Sequence, residues 1–378
     1  MFKRELLLAV GISALATAAT AQEIKIGLTG SFTGPTAAVG APYRNAAEIY
    51  PATLGGVAVK WIVLDDAGDP TAAVKNARKF IDEEKVDAIL GSTAVPAAMA
   101  IFDAAVQGQT LQISMSPVPL TPDKRPWVFV VPQPTPIMVS AIVADMKKRG
   151  IKTVGYIGFT DGWGDQNAAA LKALSGPAGI TVTGDERYNR TDTSVTAQAL
   201  KIMAGNPQAV FIGGSATPAT RPHLALVDQG FKGQVYHSHG SVSRPVLEAG
   251  GKAIEGALAP TGPIAAAAEL PDSNPIKKVA LDFIDKYEAK WGKGTRNPFA
   301  GYAWDGMLLL DAAVPDALKK AKPGTAEFRT ALRDSLQSGR EVVGTHGVYK
   351  YTAEDHYGVD ERARVLVIVK DGAFRYFP

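Results

Sequence analysis

The chain has 378 residues, 46% of them hydrophobic and 20% charged, and contains no Cys. This length provides for about two domains and a sizeable core, and the composition excludes disordered and collagen-like chains. A formal net charge of +3 offers no broad basic field for nucleic acid, and a Cys-free chain carries no disulfide, thiolate nucleophile or Fe–S cluster.

Residues 1–21 read as a signal peptide. Lys3 and Arg4 supply a positive start. Residues 6–16 form an apolar stretch that falls short of the ~20 residues a membrane span needs. Ala19-Thr20-Ala21 then matches a cleavage site, so the mature protein is expected to begin at Gln22. Export to the periplasm follows, without a lipid anchor, since no Cys lies at the cleavage site.

Beyond Gln22 a short apolar run, a small-residue turn and a helix-like segment alternate. Residues 24–28 read as a strand, with Gly30-Ser31-Phe32-Thr33-Gly34 in the turn after it. Residues 61–64 are the next strand, and Asp69-Pro70 cap a helix reaching about residue 84. Val74, Ala77, Arg78 and Ile81 are spaced to share that helix's inner face. Residues 87–90 are a third strand, ending in Gly91-Ser92-Thr93, and residues 111–114 a fourth, ending in Met115-Ser116-Pro117. A Pro-rich crossing spans residues 131–136, after which the rhythm restarts.

In this second half Met138, Ala141, Ile142 and Met146 line one helix face. Strands follow at 153–159, 181–186, 209–212 and 234–237, interleaved with helices at 163–174, 195–203 and 218–229. Residues 259–262 read as another crossing. Three longer helices follow at 275–291, 299–320 and 325–336, then closing strands near 348–351, 364–369 and 374–377. Apolar strands alternating with helices predict an α/β protein of two doubly wound parallel-sheet lobes with a cleft between them.

Enzyme motifs are missing. There is no G-x-x-x-x-G-K-[ST] or H-E-x-x-H, and Gly213-Gly214-Ser215 does not continue into G-x-S-x-G. Asp65, Asp66 and Asp69 are explained by turn and cap roles, so neither a metal nor a cofactor is expected. Of the five His, His237 and His239 flank a strand end that should turn them apart, and His239 lies on the loop side. Small hydroxyl residues recur just past strand ends: Ser31 and Thr33, Ser92 and Thr93, Ser116, Thr160, Ser215 and Thr217, and Ser241. Such a set suits the capture of a small anion through hydroxyls and backbone N–H groups.

With these residues the chain resembles the periplasmic solute-binding proteins of the branched-chain amino acid (leucine-isoleucine-valine) type that serve ABC importers. The likeness rests on the order of several pieces. They are the opening strand and its Ser31-Phe32-Thr33-Gly34 turn, Asp65-Asp66-Ala67-Gly68-Asp69-Pro70, and Ile113-Ser114-Met115-Ser116-Pro117. Asp161-Gly162-Trp163-Gly164, Tyr302-Ala303-Trp304-Asp305 and Gly344-Thr345-His346-Gly347 follow. The resemblance implies the type I periplasmic-binding ("Venus-flytrap") fold, with two lobes joined by three crossings. Hinges near Pro132, Pro260 and Gly344 would put residues 22–132 and 262–343 in the N-terminal lobe. Residues 133–261 and 344–378 would form the C-terminal lobe.

The resemblance also implies that Ser92 and Ser116 hold a ligand carboxylate. A hydroxyl usual two positions after Ser116 is replaced here by Val118. Trp163 would pack on the solute, and His239 stands where an acid otherwise receives an ammonium. Without that acid, an α-ammonium would be buried without a counter-charge. The expected ligand is therefore a small carboxylate with an aromatic or apolar body, stacked against Trp163 and Phe32 and held by Ser92, Thr93, Ser116, Ser215 and His239. The implied partners are that solute and ABC permease membrane subunits, with the protein a monomer that binds no nucleic acid. A branched-chain or other neutral amino acid, an amide, and a ligand sensor of the same fold remain open alternatives. An exported enzyme would need a base–nucleophile pair near Ser92 or Ser116, and none is apparent.

Overall fold

The computed structural model describes residues 23–123 and 125–378, so the expected signal peptide lies outside the described residues. The first sheet is built from β1 (Ile24–Gly30), β2 (Thr53–Leu54), β3 (Val57–Asp65), β4 (Ala88–Leu90), β5 (Leu111–Ser114) and β6 (Val128–Val130). Its order is β2-β3-β1-β4-β5-β6, parallel throughout except for the β2–β3 hairpin. The central strands β1, β4 and β5 are buried almost along their whole length, as expected of strands covered on both faces. Toward the edge, β3 alternates between exposed and half-buried residues.

Four helices accompany these strands: α1 (Ala37–Ala47), α2 (Pro70–Arg78), α3 (Val95–Ala100) and α4 (Phe102–Gln107). Asp69 caps α2, its carboxylate accepting from Ala72 N at 2.7 Å, with Pro70 in the first turn. The buried residues are Ala73, Ala77 and Phe80; of the predicted inner face Ala77 is buried, Val74 and Ile81 are half-buried and Arg78 is exposed. The helix widens into a π-turn at Lys79–Glu84, which rotates the later residues away from a 3.6-residue register.

The second lobe contains α5 (Thr135–Lys148), β7 (Thr153–Phe159), α6 (Gly162–Ser175), β8 (Thr181–Tyr188), α7 (Thr196–Ala204) and β9 (Ala209–Gly213). It continues with α8 (Thr220–Asp228), β10 (Gln234–His237), α9 (Arg244–Gly250) and β11 (Leu258–Thr261). The segment expected as a crossing at 259–262 is thus largely a strand. β11 pairs with β10 on one side and with the antiparallel β14 on the other, and only Gly262 onward leaves the sheet.

The chain then returns to the first lobe as α10 (Pro275–Trp291), α11 (Pro298–Leu318) and α12 (Ala326–Leu336). Asn274, Asn297 and Thr325 cap these three helices through their side chains. They close the largest core, which joins Ile26, Leu90 and Ile113 of the sheet to Phe283, Trp304 and Phe328. A small ladder of β12 (Val342–Val343) and β13 (Val348–Tyr349) follows, and β14 (Val365–Lys370) and β15 (Ala373–Phe377) complete the second sheet. That sheet has the order β15-β14-β11-β10-β9-β7-β8.

Beyond Gly344 the chain packs against β6 of the first sheet. Val130 N donates to His356 O at 3.0 Å, Tyr351 Oη donates to Val130 O at 2.9 Å, and the His356 ring stacks on Phe129 at 3.8 Å. Residues 344–358 therefore stay with the first lobe and cover the open edge of β6, whose backbone groups would otherwise be unpaired. The chain leaves the first sheet after Val130, leaves the second after Thr261 and re-enters the second at Val365.

Candidate functional site

The lobes meet across a cleft where α3 faces α6: a Cβ on Gly162 would lie 3.3 Å from Val95 Cγ1. Below this contact a cavity opens between the C-terminal ends of both parallel sheets. Its apolar wall includes Val39, Tyr43, Val95, Met115, Trp163 and Tyr302. The polar groups lining it are Thr36, Thr93, Ser116, Arg190, Ser215 and His239. Among the described residues no Asp or Glu lines it.

Five of the residues predicted from the sequence meet here: Thr93, Ser116, Trp163, Ser215 and His239. Thr93 comes from the loop after β4, where its hydroxyl accepts from Ser31 N at 2.9 Å. Ser116 follows β5, in a turn tied by Ser114 Oγ donating to Ser116 O at 2.8 Å. Trp163 opens α6. The Asp161 cap accepts from its backbone N–H at 2.9 Å, and the indole Nε1 donates to Gly214 O at 3.1 Å. That pins the ring against the cavity, with the His239 ring edge-on at 4.9 Å.

Two predicted contacts are not part of the wall. Phe32 is buried in the first lobe's core, its N–H donating to Asp65 Oδ1 at 2.9 Å, and it does not line the cavity. Ser92 is fully buried but likewise absent from the wall, which its neighbour Thr93 reaches instead. Successive residues of an extended turn point to opposite sides, so a reading by loop alone cannot choose between them. Val118, standing where a hydroxyl was expected, is buried outside the wall and accepts from Tyr357 Oη through its carbonyl. Among the remaining hydroxyls, Thr33 donates to Asp65, Thr160 donates to Asn189, and Ser241 lies behind the sheet near Val246.

Arg190 is the residue that sequence reasoning missed. It lies two positions past the end of β8, a place the strand-end rule already pointed to, but only small hydroxyl residues were collected there. Its Nε donates to Asp161 Oδ2 at 2.6 Å, its Nη1 to Ser215 Oγ at 3.0 Å, and its guanidinium lies 4.2 Å over the Phe159 ring. These contacts fix the planar fork with its remaining N–H groups at the cavity.

His239 is buried, and neither ring nitrogen has a hydrogen-bond partner. Burial pushes its imidazole down to about 3, so it is neutral and carries one donor and one acceptor nitrogen. His237 turns the other way and meets His223, ring nitrogen to ring nitrogen, at 2.9 Å. No group of three or more His, Cys, Asp or Glu among the described residues is arranged to hold a metal. Asp65 and Asp66 are engaged with the Thr33, Thr29 and Gly68 groups of the turn.

Two α/β lobes around a cleft cavity with converging polar groups define a solute-binding protein. The chain belongs to the periplasmic binding protein family, whose model matches residues 23–373. It is 25% identical over 344 residues to a Leu/Ile/Val-binding protein homolog of Brucella melitensis, covering 87% of each chain. Among solved structures it is similar to an extracellular ligand-binding receptor from Rhodopseudomonas palustris, with 42% identity and a TM-score of 0.93. That alignment covers 94% of this chain and 100% of the other. An R. palustris ABC transporter solute-binding protein in complex with benzoate shares the fold, at 20% identity and a TM-score of 0.78, over 94% and 95% of the two chains. No helix among the described residues is long and apolar enough to cross a membrane.

Proposed function

We propose that the protein captures a small carboxylate with an aromatic or apolar body in the cleft and delivers it to the membrane subunits of an ABC importer. The observation that carries this reading is the charge of the wall, which includes Arg190 and, among the described residues, no carboxylate. An amino acid would bring an ammonium into an enclosed site with no counter-charge, an arrangement that costs several kcal/mol. A carboxylate meets the Arg190 fork together with the Ser116 and Thr93 loops. Charge-assisted hydrogen bonds are worth ~1.5–3 kcal/mol each, so three or four supply roughly 5–12 kcal/mol toward binding, a range from sub-millimolar to nanomolar affinity. The ligand's apolar body then covers Trp163, Val95 and Met115.

Arg190, Thr93, Ser116 and Ser215 are assigned to the anion, Trp163 to the body, and neutral His239 to a polar group of the ligand. The benzoate held by the R. palustris protein of the same fold is a ligand of this class. The same reading has residues 1–21 removed on export and the mature protein acting in the periplasm as a monomer. Calorimetry against benzoate, 4-hydroxybenzoate, leucine and valine tests it. The aromatic acids are expected to bind and the amino acids not, and tight leucine binding would overturn the proposal.

A further inference from the structure

Tyr302 lines the cavity and sits in the first turns of α11, where it touches the chain segments that join the lobes. Its Oη donates to Gln133 Oε1 at 2.5 Å, and Gln133 belongs to the first crossing. The other end of that amide, Gln133 Nε2, donates to Ala363 O at 2.6 Å, in the third crossing. The Tyr302 ring stacks on His346 at 3.6 Å with an interplanar angle of 11°. His346 in turn leaves no room for a side chain on Gly262, where the second crossing begins, so a Cβ there would overlap its ring.

Each link is buried, and none is a surface contact: Tyr302, Gln133 and His346 are 3%, 1% and 0% exposed. His346 is itself held from two sides. Its N–H donates to Asp305 Oδ2 at 3.0 Å, and its Nε2 meets Pro298 O at 2.7 Å. The same carboxylate accepts from Thr345 N at 2.5 Å and from Tyr349 Oη at 2.9 Å. The hairpin that carries His346 is thereby fixed to α11, one turn away from Tyr302.

From this geometry we infer that Tyr302 is a positioning residue that couples occupancy of the cavity to the lobe angle, by tying all three crossings to one ring in the cavity wall. A ligand that presses on the Tyr302 ring and a lobe rotation that moves Gln133 or Gly262 act on the same side chain. Each therefore biases the other, since coupling between two equilibria is reciprocal. The inference rests on the cleft being the ligand site but not on the identity of the ligand.

The absence of Cys makes the test clean. Cysteines at exposed Val63 in the first lobe and Val227 in the second carry spin labels, and pulsed dipolar spectroscopy reads the inter-lobe distance distribution. Tyr302→Phe keeps the ring stack on His346 and removes the bond to Gln133. Gln133→Leu removes both amide links. In the unliganded protein each variant is expected to broaden the distribution toward longer distances. With benzoate at half-saturation of the wild type, the closed-to-open ratio is expected to fall about fivefold, the factor a neutral hydrogen bond carries. Combining the two substitutions is expected to add little to Gln133→Leu alone, because they cut the same tie.

Distributions unchanged in both single variants would overturn the inference. It also fails if Tyr302→Phe weakens benzoate while leaving the unliganded distribution as in the wild type, since Tyr302 is then only a ligand contact. Should benzoate not bind the wild type, the carboxylate proposal fails on that result, and the unliganded distributions still decide the role of Tyr302.

Discussion

Replacing Arg190 by Gln removes the charge at the cavity while keeping a side chain of similar reach. In the folded protein this residue makes a 2.6 Å ion pair with Asp161 and a 3.0 Å bond to Ser215, and its side chain is 18% exposed. Two consequences separate. The Asp161 pair is partly solvated, so its loss costs stability on the order of 1 kcal/mol or less. A carboxylate in the cavity loses one or two charge-assisted bonds of ~1.5–3 kcal/mol each, so benzoate affinity falls at least about tenfold and up to roughly ten-thousandfold. Benzamide has nearly the same shape without the charge, so any general damage to the cleft weakens both ligands alike. Isothermal titration of benzoate and benzamide on both proteins isolates the charge term. The wild type is expected to prefer the acid by tenfold or more, and Arg190→Gln is expected to bring the ratio near one. If both ligands weaken by the same factor and the preference survives, Arg190 does not hold the carboxylate and the charge argument collapses.

His239→Leu is expected to stabilise the unliganded protein by roughly 1–3 kcal/mol, because two buried nitrogens without partners disappear, while weakening 4-hydroxybenzoate; thermal unfolding and calorimetry read the two effects. The imidazole titrates at about 3 when folded and near 6.5 when unfolded, so the unfolded chain takes the proton first. Its contribution to stability is whole above about pH 6.5 and is lost at roughly 1.4 kcal/mol per unit toward pH 3. The variant should therefore lose less stability on acidification. Asp305, which burial raises to about 7, acts with the opposite sign in both proteins and cancels in the difference. Phe32→Ala is expected to lower stability by roughly 3 kcal/mol in chemical denaturation yet leave benzoate affinity within about threefold, since the ring fills the core and not the cavity wall.

The sequence was most legible where one physical signal dominated. Leu111–Ser114, Thr153–Phe159 and Gln234–His237 are unbroken β-rich runs, and Asn274-Pro275 gives α10 both a cap and a first turn. Where signals conflict the reading fails. Helix α1 contains Gly40 and Pro42, so its composition argues against a helix, yet Gly40 is needed because a Cβ there would strike the Ser31 carbonyl. Pro260 made β11 look like a connection, although the strand is buried between two neighbours. In the site, loop position brought Thr93, Ser116, Trp163, Ser215 and His239 into view but could not tell Ser92 from Thr93, because facing depends on the turn. Arg190 was overlooked because a lone arginine in a loop reads as solvated, and only folding shows its three anchors. The crossings were harder still, since the cover that residues 351–358 give to β6 is a long-range pairing without local pattern.

The pairing of a neutral imidazole with a guanidinium at the cavity has a consequence for the proton balance of capture. His239 is already unprotonated well below neutrality. Loading a carboxylate that is already ionised then neither releases nor consumes a proton. The heat of binding should be the same in buffers of different ionisation enthalpy, and affinity should stay level across the mildly acidic to mildly alkaline range. A scavenger of this design keeps its grip when the acidity of its surroundings drifts.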